Sequence, residues 1–407
     1  MLNPRLDALM TYPFERLGRL LDGITPPDGI TPISMALGEP RHAPPAFVAR
    51  LLADHAADWG RYPPNRGTPG FRAAVADWLT ARYGLPDGFI SGERNILPCA
   101  GTREALFMFA LVAVPAAKIA VRDGASLAPA VLMPNPLYHV YAGAAVMAGA
   151  VPVFVPATAA TRFLPDFRAL RADLLDRTVL TYLCSPSNPQ GTAATREDLV
   201  TLIDMAITHD FILAVDECYS EIYDRTPPAG ALEAAAGFGS RREKALEHII
   251  VFNSLSKRSS APGLRSGFVA GGDAAIAAFA KLRNFASCQT PLPIVTVAEH
   301  LWRDDAHVRE TRDAYRARFD LAERMLDGRY GFYRPDGGFF LWLDVGDGEA
   351  AARRLWAEAG LRVLPGACLC PETPEHPSPG GRYIRLALVH EPDTIGEALT
   401  RLCRVLN

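Results

Sequence analysis

The stretch His248-Ile249-Ile250-Val251-Phe252-Asn253-Ser254-Leu255-Ser256-Lys257-Arg258-Ser259 leads from an apolar run to a lysine set among hydroxyl groups. The run from His248 to Phe252 is continuous rather than alternating, which predicts a strand buried on both faces. Lys257 follows where that strand ends, and Arg265 lies eight residues further on. This placement favours an amine held for chemistry over a solvated surface cation.

Further apolar strands surround this stretch along the chain. They begin near residues 96, 130, 151, 179, 211 and 266. Helical patterns alternate with these strands near residues 45–58 and 69–83, from residue 102, and near 195–209. Such alternation is typical of a mostly parallel sheet covered by helices on both faces, an α/β fold. After about residue 293 the pattern changes to a long charged helix, Val295 to Asp327, and then to the run Gly337 to Leu343. These later segments predict a smaller α+β domain.

A lysine amine in this setting is typical of a Schiff base with pyridoxal phosphate, in which the protein orients a reactive ring. The phosphate of that cofactor requires donors and positive charge. Gly101 and Thr102 open a predicted helix, whose free N–H groups suit an anion, and Arg265, Ser254 and Ser256 add a cation and two hydroxyls. The alternative for Gly101-Thr102 is a plain helix cap.

The ring needs a carboxylate and a hydroxyl. Asp216 ends the apolar strand from Phe211, and it would hold the pyridine nitrogen protonated. Tyr219, three residues later, places a hydroxyl for the phenolic oxygen. The alternatives are a helix N-cap for Asp216 and a half-buried core aromatic for Tyr219.

Two turns that follow other strands supply the remaining groups. Asn188, in Ser185-Pro186-Ser187-Asn188-Pro189-Gln190-Gly191-Thr192, can direct its amide at a cofactor oxygen and a substrate carboxylate, although a generic turn would explain it as well. Tyr138 follows the strand from Ala130 to Met133 and can stack on the ring.

The order of these groups, together with the Ser-Asn-Pro-Gln-Gly-Thr and Ser-Leu-Ser-Lys motifs, resembles the fold-type I pyridoxal-phosphate aminotransferases of class I/II over essentially the whole chain. The resemblance implies a mostly parallel seven-stranded sheet in a large cofactor-binding domain, residues 47–293. A small domain, 294–407, is completed by part of an N-terminal arm, 1–46. Lys257, Asp216 and Tyr219 are then the catalytic residues.

The family pattern also assigns residues one position at a time. Gly38 and Arg385 match the glycine and the arginine that meet the substrate carboxylate, together with Asn188. Tyr62 matches a tyrosine that reaches the phosphate of the neighbouring subunit, which implies a homodimer with shared active sites. The implied cofactor-binding set is Tyr62, Gly101, Thr102, Arg103, Tyr138, Asn188, Asp216, Tyr219, Ser254, Ser256, Lys257 and Arg265.

Within the family, the chain most resembles the proteobacterial succinyldiaminopimelate transaminases. The likeness includes Tyr12-Pro13-Phe14-Glu15-Arg16-Leu17, Gly38-Glu39-Pro40-Arg41-His42 and Pro262-Gly263-Leu264-Arg265-Ser266-Gly267-Phe268. It implies ping-pong transamination of N-succinyl-L,L-2,6-diaminopimelate with 2-oxoglutarate, in lysine and diaminopimelate biosynthesis. There are two alternatives. The first is an aminotransferase with a different amino donor, of the aspartate, alanine or acetylornithine type, and the second is a β-lyase on the same scaffold. We expect the distal carboxylates to meet Arg41, His42, Asn65 or Arg258, each of which also has a purely structural explanation.

Composition excludes several other classes of protein. A net charge of -3 and a pI near 6.3 give no basic surface for nucleic acid. Seven cysteines without C-x-x-C spacing predict reduced thiols, no metal site and a cytoplasmic protein. The N-terminus lacks the apolar segment of a signal peptide. Gly and Pro residues interrupt the uncharged stretch from Val140 to Ala157, so we expect a buried helix and a strand there and no contact with a membrane.

Overall fold

The computed structural model describes residues 2–115, 120–122, 125–286, 288–371 and 378–407. Over these residues the strands are β1 Ile33–Ser34, β2 Ile96–Cys99, β3 Ala120–Arg122, β4 Ala125–Leu127, β5 Ala130–Asn135, β6 Val151–Pro156, β7 Thr178–Cys184, β8 Ile212–Asp216, β9 Ile249–Ser254, β10 Gly267–Gly271, β11 Phe340–Asp344, β12 Leu361–Arg362, β13 Leu364–Pro365 and β14 Tyr383–Ala387. The α-helices are α1 Pro13–Leu20, α2 Phe47–Asp54, α3 Pro69–Tyr83, α4 Gly92–Asn95, α5 Thr102–Ala113, α6 His139–Ala148, α7 Ala172–Asp176, α8 Arg196–His209, α9 Ala231–Ala236, α10 Arg242–Glu247, α11 Leu255–Arg258, α12 Asp273–Ala286, α13 Leu292–Arg303, α14 Ala306–Leu326, α15 Gly348–Ala359 and α16 Pro392–Leu406.

The large sheet has seven strands in the order β2-β10-β9-β8-β7-β5-β6. β10 is antiparallel to both of its neighbours, and the other pairings are parallel. The predicted α/β fold with a mostly parallel seven-stranded sheet is therefore confirmed. The register pairs Cys184 with Asp216 and Asp216 with Phe252, so the carboxyl ends of β7, β8 and β9 meet at one edge.

Helices cover both faces of this sheet, which explains why its central strands are apolar throughout. On β8, Leu213 and Val215 face one core, shared with α3, α8 and α13, whereas Ala214 faces the other, shared with α5, α6 and α12. Successive side chains of a strand point to opposite faces, so every position of a doubly covered strand is buried.

A smaller antiparallel sheet, in the order β11-β14-β13, lies in the C-terminal part of the chain. β1 pairs in parallel with β12, and Ile33 and Met35 join the core formed by α14, α15 and α16. The domain division at residues 46 and 293 stays a prediction. The packing of α13 against α3 in the large core favours a second boundary after Arg303.

The prediction of one helix from Val295 to Asp327 is wrong, because α13 and α14 are separate helices with a break at Asp304 and Asp305. The carboxylate of Asp304 accepts a hydrogen bond from the backbone N–H of Ala306 at 3.2 Å. This side-chain acceptor replaces the backbone carbonyl that Ala306 would use in a continuous helix. The expected helix and strand over Val140–Ala157 are α6 and β6. None of the helices in the described residues has both the length and the apolar character that crossing a membrane requires.

Candidate active site

A cavity of about 200 Å³ opens at the carboxyl ends of β7 and β8. Asp216, Lys257 and Arg385, which are far apart in sequence, line it together. Thr102, Arg103, Tyr138 and Lys257 also line an adjoining hollow, and three further predicted phosphate ligands, Ser254, Ser256 and Arg265, lie there. The structure thus brings the predicted groups for both ends of the cofactor to one place.

Lys257, in the short helix α11, donates a hydrogen bond from Nζ to the carbonyl oxygen of Gly38 at 2.7 Å. Burial lowers the pKa of this amine to about 8, and the positive charge of Arg385 acts in the same direction. A Cβ atom at Gly38 would lie 2.4 Å from Cζ of Phe340. Only glycine therefore lets the backbone at this position pack against Phe340 and reach Lys257. A lysine with such a pKa is partly neutral near pH 7 to 8 and can act as a base.

Asp216 accepts a hydrogen bond from the hydroxyl of Tyr141 at 2.8 Å and one from the backbone N–H of Cys218 at 3.3 Å. Burial raises the pKa of Asp216, whereas these hydrogen bonds favour the carboxylate. Tyr141 is absent from the sequence-based set. Its position three residues after Tyr138, one helical turn along α6, is the signal that could have revealed it.

Tyr219 lies under the lysine, with its ring centroid 6.0 Å from Nζ of Lys257. Phe339 and Phe340 contact that ring edge-on at centroid distances of 5.4 and 5.9 Å. Burial raises the pKa of Tyr219 well above its ordinary value, so its hydroxyl keeps its proton and can donate it in a hydrogen bond.

The predicted phosphate cradle forms where α5 begins. Gly101 caps the helix with a φ of 82°, and a Cβ atom there would lie 2.3 Å from Nη2 of Arg265. Arg265 donates to the carbonyl oxygen of Ala100 at 3.1 Å, and the hydroxyls of Ser254 and Ser256 lie 2.9 Å apart. A helix N-terminus, an arginine and two hydroxyls together form a donor set suited to a phosphate.

Tyr138 and Arg103 lie at the boundary between the two hollows. Nε of Arg103 donates to the hydroxyl of Tyr138 at 2.8 Å, and Nη2 donates to the hydroxyl of Tyr12 at 3.2 Å. Arg103 therefore fixes the ring of Tyr138 and connects it to the N-terminal segment.

Arg385 comes from β14 of the small sheet. Nη1 donates to Oδ1 of Asn188 at 2.9 Å, Nη2 donates to the carbonyl oxygen of Ala36 at 2.8 Å, and the guanidinium lies 4.3 Å from the ring centroid of Phe340. Burial lowers the pKa of Arg385 to about 10, which still leaves it charged near pH 7. A buried, oriented guanidinium is suited to bind a carboxylate in a bidentate manner.

Other predicted residues lie away from the cavity. Tyr62 is fully exposed on this chain. None of the four candidates for the distal carboxylates lines the cavity of this chain, which corrects the hypothesis for the fully buried Arg258 and leaves it a prediction for the other three. Arg258 is buried against Asp305 at 2.7 Å, Asn65 donates to the carbonyl oxygen of Ala280 at 2.7 Å, His42 packs edge-on against Tyr315, and Arg41 lies on the surface.

A buried lysine at the carboxyl edge of a mostly parallel seven-stranded sheet, together with a smaller α+β unit, defines a fold-type I enzyme that uses pyridoxal phosphate. The sequence profile of the family "Aminotransferase class I and II" matches residues 30–402, and the chain belongs to that family, which depends on pyridoxal phosphate.

Individual relatives agree with this assignment. A crystal structure of an aminotransferase from Neisseria meningitidis is similar at 35% identity and a TM-score of 0.92, with 100% of both chains covered. A 4-dedimethylamino-4-oxo-anhydrotetracycline transaminase from Streptomyces rimosus is 30% identical over 92% of this chain and 94% of the relative. An LL-diaminopimelate aminotransferase from Desulforudis audaxviator is 28% identical over 98% of this chain and 96% of the relative.

The residues present fit the cofactor of this family. A Cβ atom at Gly101 would fill the cradle beside Arg265, and the donors around it have the chemistry that a phosphate needs. A carboxylate, a lysine amine and an aromatic ring occupy the same cavity.

Proposed function

We propose that this aminotransferase transfers the amino group of N-succinyl-L,L-2,6-diaminopimelate to 2-oxoglutarate, in the biosynthesis of diaminopimelate and lysine. The observation that carries the proposal is the amine of Lys257, which is buried, has a lowered pKa and shares a cavity with the buried guanidinium of Arg385. The assignment to diaminopimelate chemistry is supported by relatives named LL-diaminopimelate aminotransferase, which align over nearly the whole chain.

Lys257, Asp216 and Tyr219 have the catalytic roles in this proposal. The cofactor supplies a carbonyl carbon for the substrate amine and a ring that withdraws electrons from the substrate's α-carbon. Lys257 holds the cofactor and then carries the α-proton on Nζ, as its lowered pKa allows. Asp216 would keep the pyridine nitrogen protonated, and Tyr219 would donate a hydrogen bond to the phenolic oxygen. Gly101, Thr102, Ser254, Ser256 and Arg265 would hold the phosphate, and Arg103 and Tyr138 would hold the ring face.

Arg385 and Asn188 orient the substrate. Their hydrogen bond at 2.9 Å holds two groups suited to one α-carboxylate beside the backbone of Gly38. The amino donor and the 2-oxo acceptor both carry that carboxylate, so they bind in turn at the same arginine, and the kinetics are ping-pong. We also propose that the protein is a homodimer in which Tyr62 of one subunit completes the phosphate cradle of the other.

A panel of amino donors tests this proposal with the purified, cofactor-loaded protein and 2-oxoglutarate. The panel comprises N-succinyl-L,L-diaminopimelate, L,L-diaminopimelate, N-acetylornithine, aspartate and alanine. We expect the highest kcat/KM for the succinylated donor. A higher value for free L,L-diaminopimelate would replace the proposed donor with the one that the relatives' names give. Product formation without any 2-oxo acid would indicate a lyase.

A further inference from the structure

A buried carboxylate lies close to Tyr219 along the chain. Glu221, two residues further on, is 5% exposed and lies between two arginines from different helices. Nε of Arg82 in α3 donates to its Oε1 at 2.7 Å, and Nη2 of Arg312 in α14 donates to its Oε2 at 3.3 Å. Burying three charged groups costs free energy, which hydrogen bonds from both sides offset. The carboxylate is therefore held in one place.

Arg312 also holds the backbone of the turn at residues 219–223. Its Nε donates to the carbonyl oxygen of Glu221 at 3.0 Å, and its guanidinium lies 3.8 Å from the ring centroid of Tyr223. Within the turn, the backbone N–H of Ile222 donates to the carbonyl oxygen of Tyr219 at 3.0 Å. One guanidinium thus contacts a carboxylate, a carbonyl and an aromatic ring of the short turn that begins at Tyr219.

α14 belongs to the smaller unit of the protein. Its residues Phe319 and Leu326 pack in the core that β11, β14, α15 and α16 share. A second bond from the same unit reaches the turn, because the backbone N–H of Gly338 donates to the carbonyl oxygen of Ile222 at 2.7 Å. Tyr219 itself follows β8 of the large sheet and lines the active-site cavity. The position of its ring therefore depends on contacts with the smaller unit.

From these contacts we infer that Arg312 is a positioning residue for Tyr219. Through Glu221 it holds the turn from which Tyr219 directs its hydroxyl at the phenolic oxygen of the cofactor. The inference rests on the role that the proposed function gives to Tyr219, but it is independent of which amino donor the enzyme uses.

The test measures the Kd of two ligands for the cofactor-free protein by absorbance titration. One ligand is pyridoxal phosphate, and the other is its 3-deoxy analogue, which lacks the phenolic oxygen. We expect Arg312→Met to raise the Kd of pyridoxal phosphate about fivefold, the effect of one hydrogen bond, and to leave the Kd of the analogue near the wild-type value. In a Tyr219→Phe background, Arg312→Met should add no further loss, because both changes remove the same interaction.

Two further variants serve as controls. Arg312→Lys keeps a cation beside Glu221 and so preserves the fold, but an ammonium lacks the fork that serves the carbonyl and the carboxylate together. It should weaken the binding of pyridoxal phosphate alone, as Arg312→Met does. Arg316 lies one helical turn further along α14, and its Nε donates to the carbonyl oxygen of Asp224, further from Tyr219 than Glu221 is. Arg316→Met should leave both Kd values unchanged.

The two ligands separate positioning from a general structural effect. Equal increases in both Kd values for Arg312→Met, or no increase in either, would overturn the role of Arg312. If Tyr219→Phe binds both ligands as the wild type does, the role of Tyr219 in the proposed function fails, and that of Arg312 fails with it. Rejection of the succinylated donor in the donor panel would refute the proposed donor and would leave the result for Arg312 as it stands.

Discussion

Burial lowers the pKa of Lys257 to about 8, and the positive charge of Arg385 acts in the same direction, so the neutral amine is populated near neutral pH. We expect Lys257→Ala to abolish turnover, because no other amine lines the described part of the cavity and the variant loses both the cofactor anchor and the base. The far-ultraviolet circular dichroism should stay that of the wild type. A rate near the wild-type value without added amine would contradict the role of Lys257.

Tyr141 connects the carboxylate of Asp216 to the core. Removal of its hydroxyl leaves Asp216 with one fewer donor, which raises the pKa of a carboxylate that burial already keeps high. A protonated Asp216 would hold the pyridine nitrogen less well. We expect Tyr141→Phe to raise the Kd of pyridoxal phosphate by about tenfold or more, the effect of one hydrogen bond to a charged group. Absorbance titration of the cofactor-free protein measures it.

Tyr182 provides a matched control for that variant. Its ring stacks on Tyr141 with centroids 4.5 Å apart, but its hydroxyl donates to the backbone of Leu106 and not to Asp216. Tyr182→Phe should therefore leave the cofactor affinity close to that of the wild type. Equal losses in the two variants would mean that the stacked pair, and not the hydrogen bond to Asp216, controls binding.

At the scale of elements, helix ends were predictable where local residues set them. The helix predicted over 69–83 is α3, Pro69–Tyr83, because Thr68 caps the backbone N–H of Phe71 and Gly84 ends the helix in the left-handed region. The break between α13 and α14 was missed. The apolar pattern continues through it, and the cap at Asp304 depends on a side-chain conformation that periodicity does not reveal.

Arg258 joins three elements, and for this reason it lies in the core and not in the substrate cavity. The side chain from α11 donates to the carbonyl oxygen of Leu301 in α13 at 2.6 Å and pairs with Asp305 ahead of α14 at 2.7 Å. Its guanidinium also lies near Trp78 and Trp302. We expect Arg258→Met to lower the free energy of unfolding by about 2 kcal/mol, since the carbonyl oxygen of Leu301 loses its charged hydrogen-bond donor. Denaturant titration measures this.

The control for Arg258 is Arg19→Met, which removes an exposed ion pair with Glu15. Exposed pairs of this kind contribute little, so the unfolding midpoint should stay where it is in the wild type. An Arg258→Met variant of wild-type stability with an increased KM would restore the hypothesis that Arg258 binds substrate.

At the scale of the whole molecule, Tyr62 distinguishes a shared active site from a self-contained one. Its ring is fully exposed on a single chain, whereas Thr102, Ser254, Ser256 and Arg265 line one hollow. An exposed aromatic side chain of this size is typical of a protein interface. We expect sedimentation to give a dimer and Tyr62→Ala to lose cofactor affinity although Tyr62 is remote from the cavity of its own chain.

Hybrid dimers give the sharper measurement. In a dimer of one Lys257→Ala chain and one Tyr62→Ala chain, one site lacks both residues and the other has both, if Tyr62 reaches across the interface. Mixing and refolding the two inactive or weakened variants should therefore restore activity well above either variant alone. Failure of the mixture to recover activity, with hybrid formation shown by mass spectrometry, would contradict the shared site.

The sequence by itself determined the fold class, the seven strands of the large sheet and the succession of groups suited to the cofactor, because continuous apolar runs and motifs such as Ser254-Leu255-Ser256-Lys257 are local properties of the chain. Only the tertiary structure placed Tyr141 on Asp216, 75 residues away. It alone buried Arg258 between Trp78 and Trp302. Such positions depend on how strands and helices pack across the sheet, and a side chain's neighbours from distant segments leave no periodic signal in the sequence.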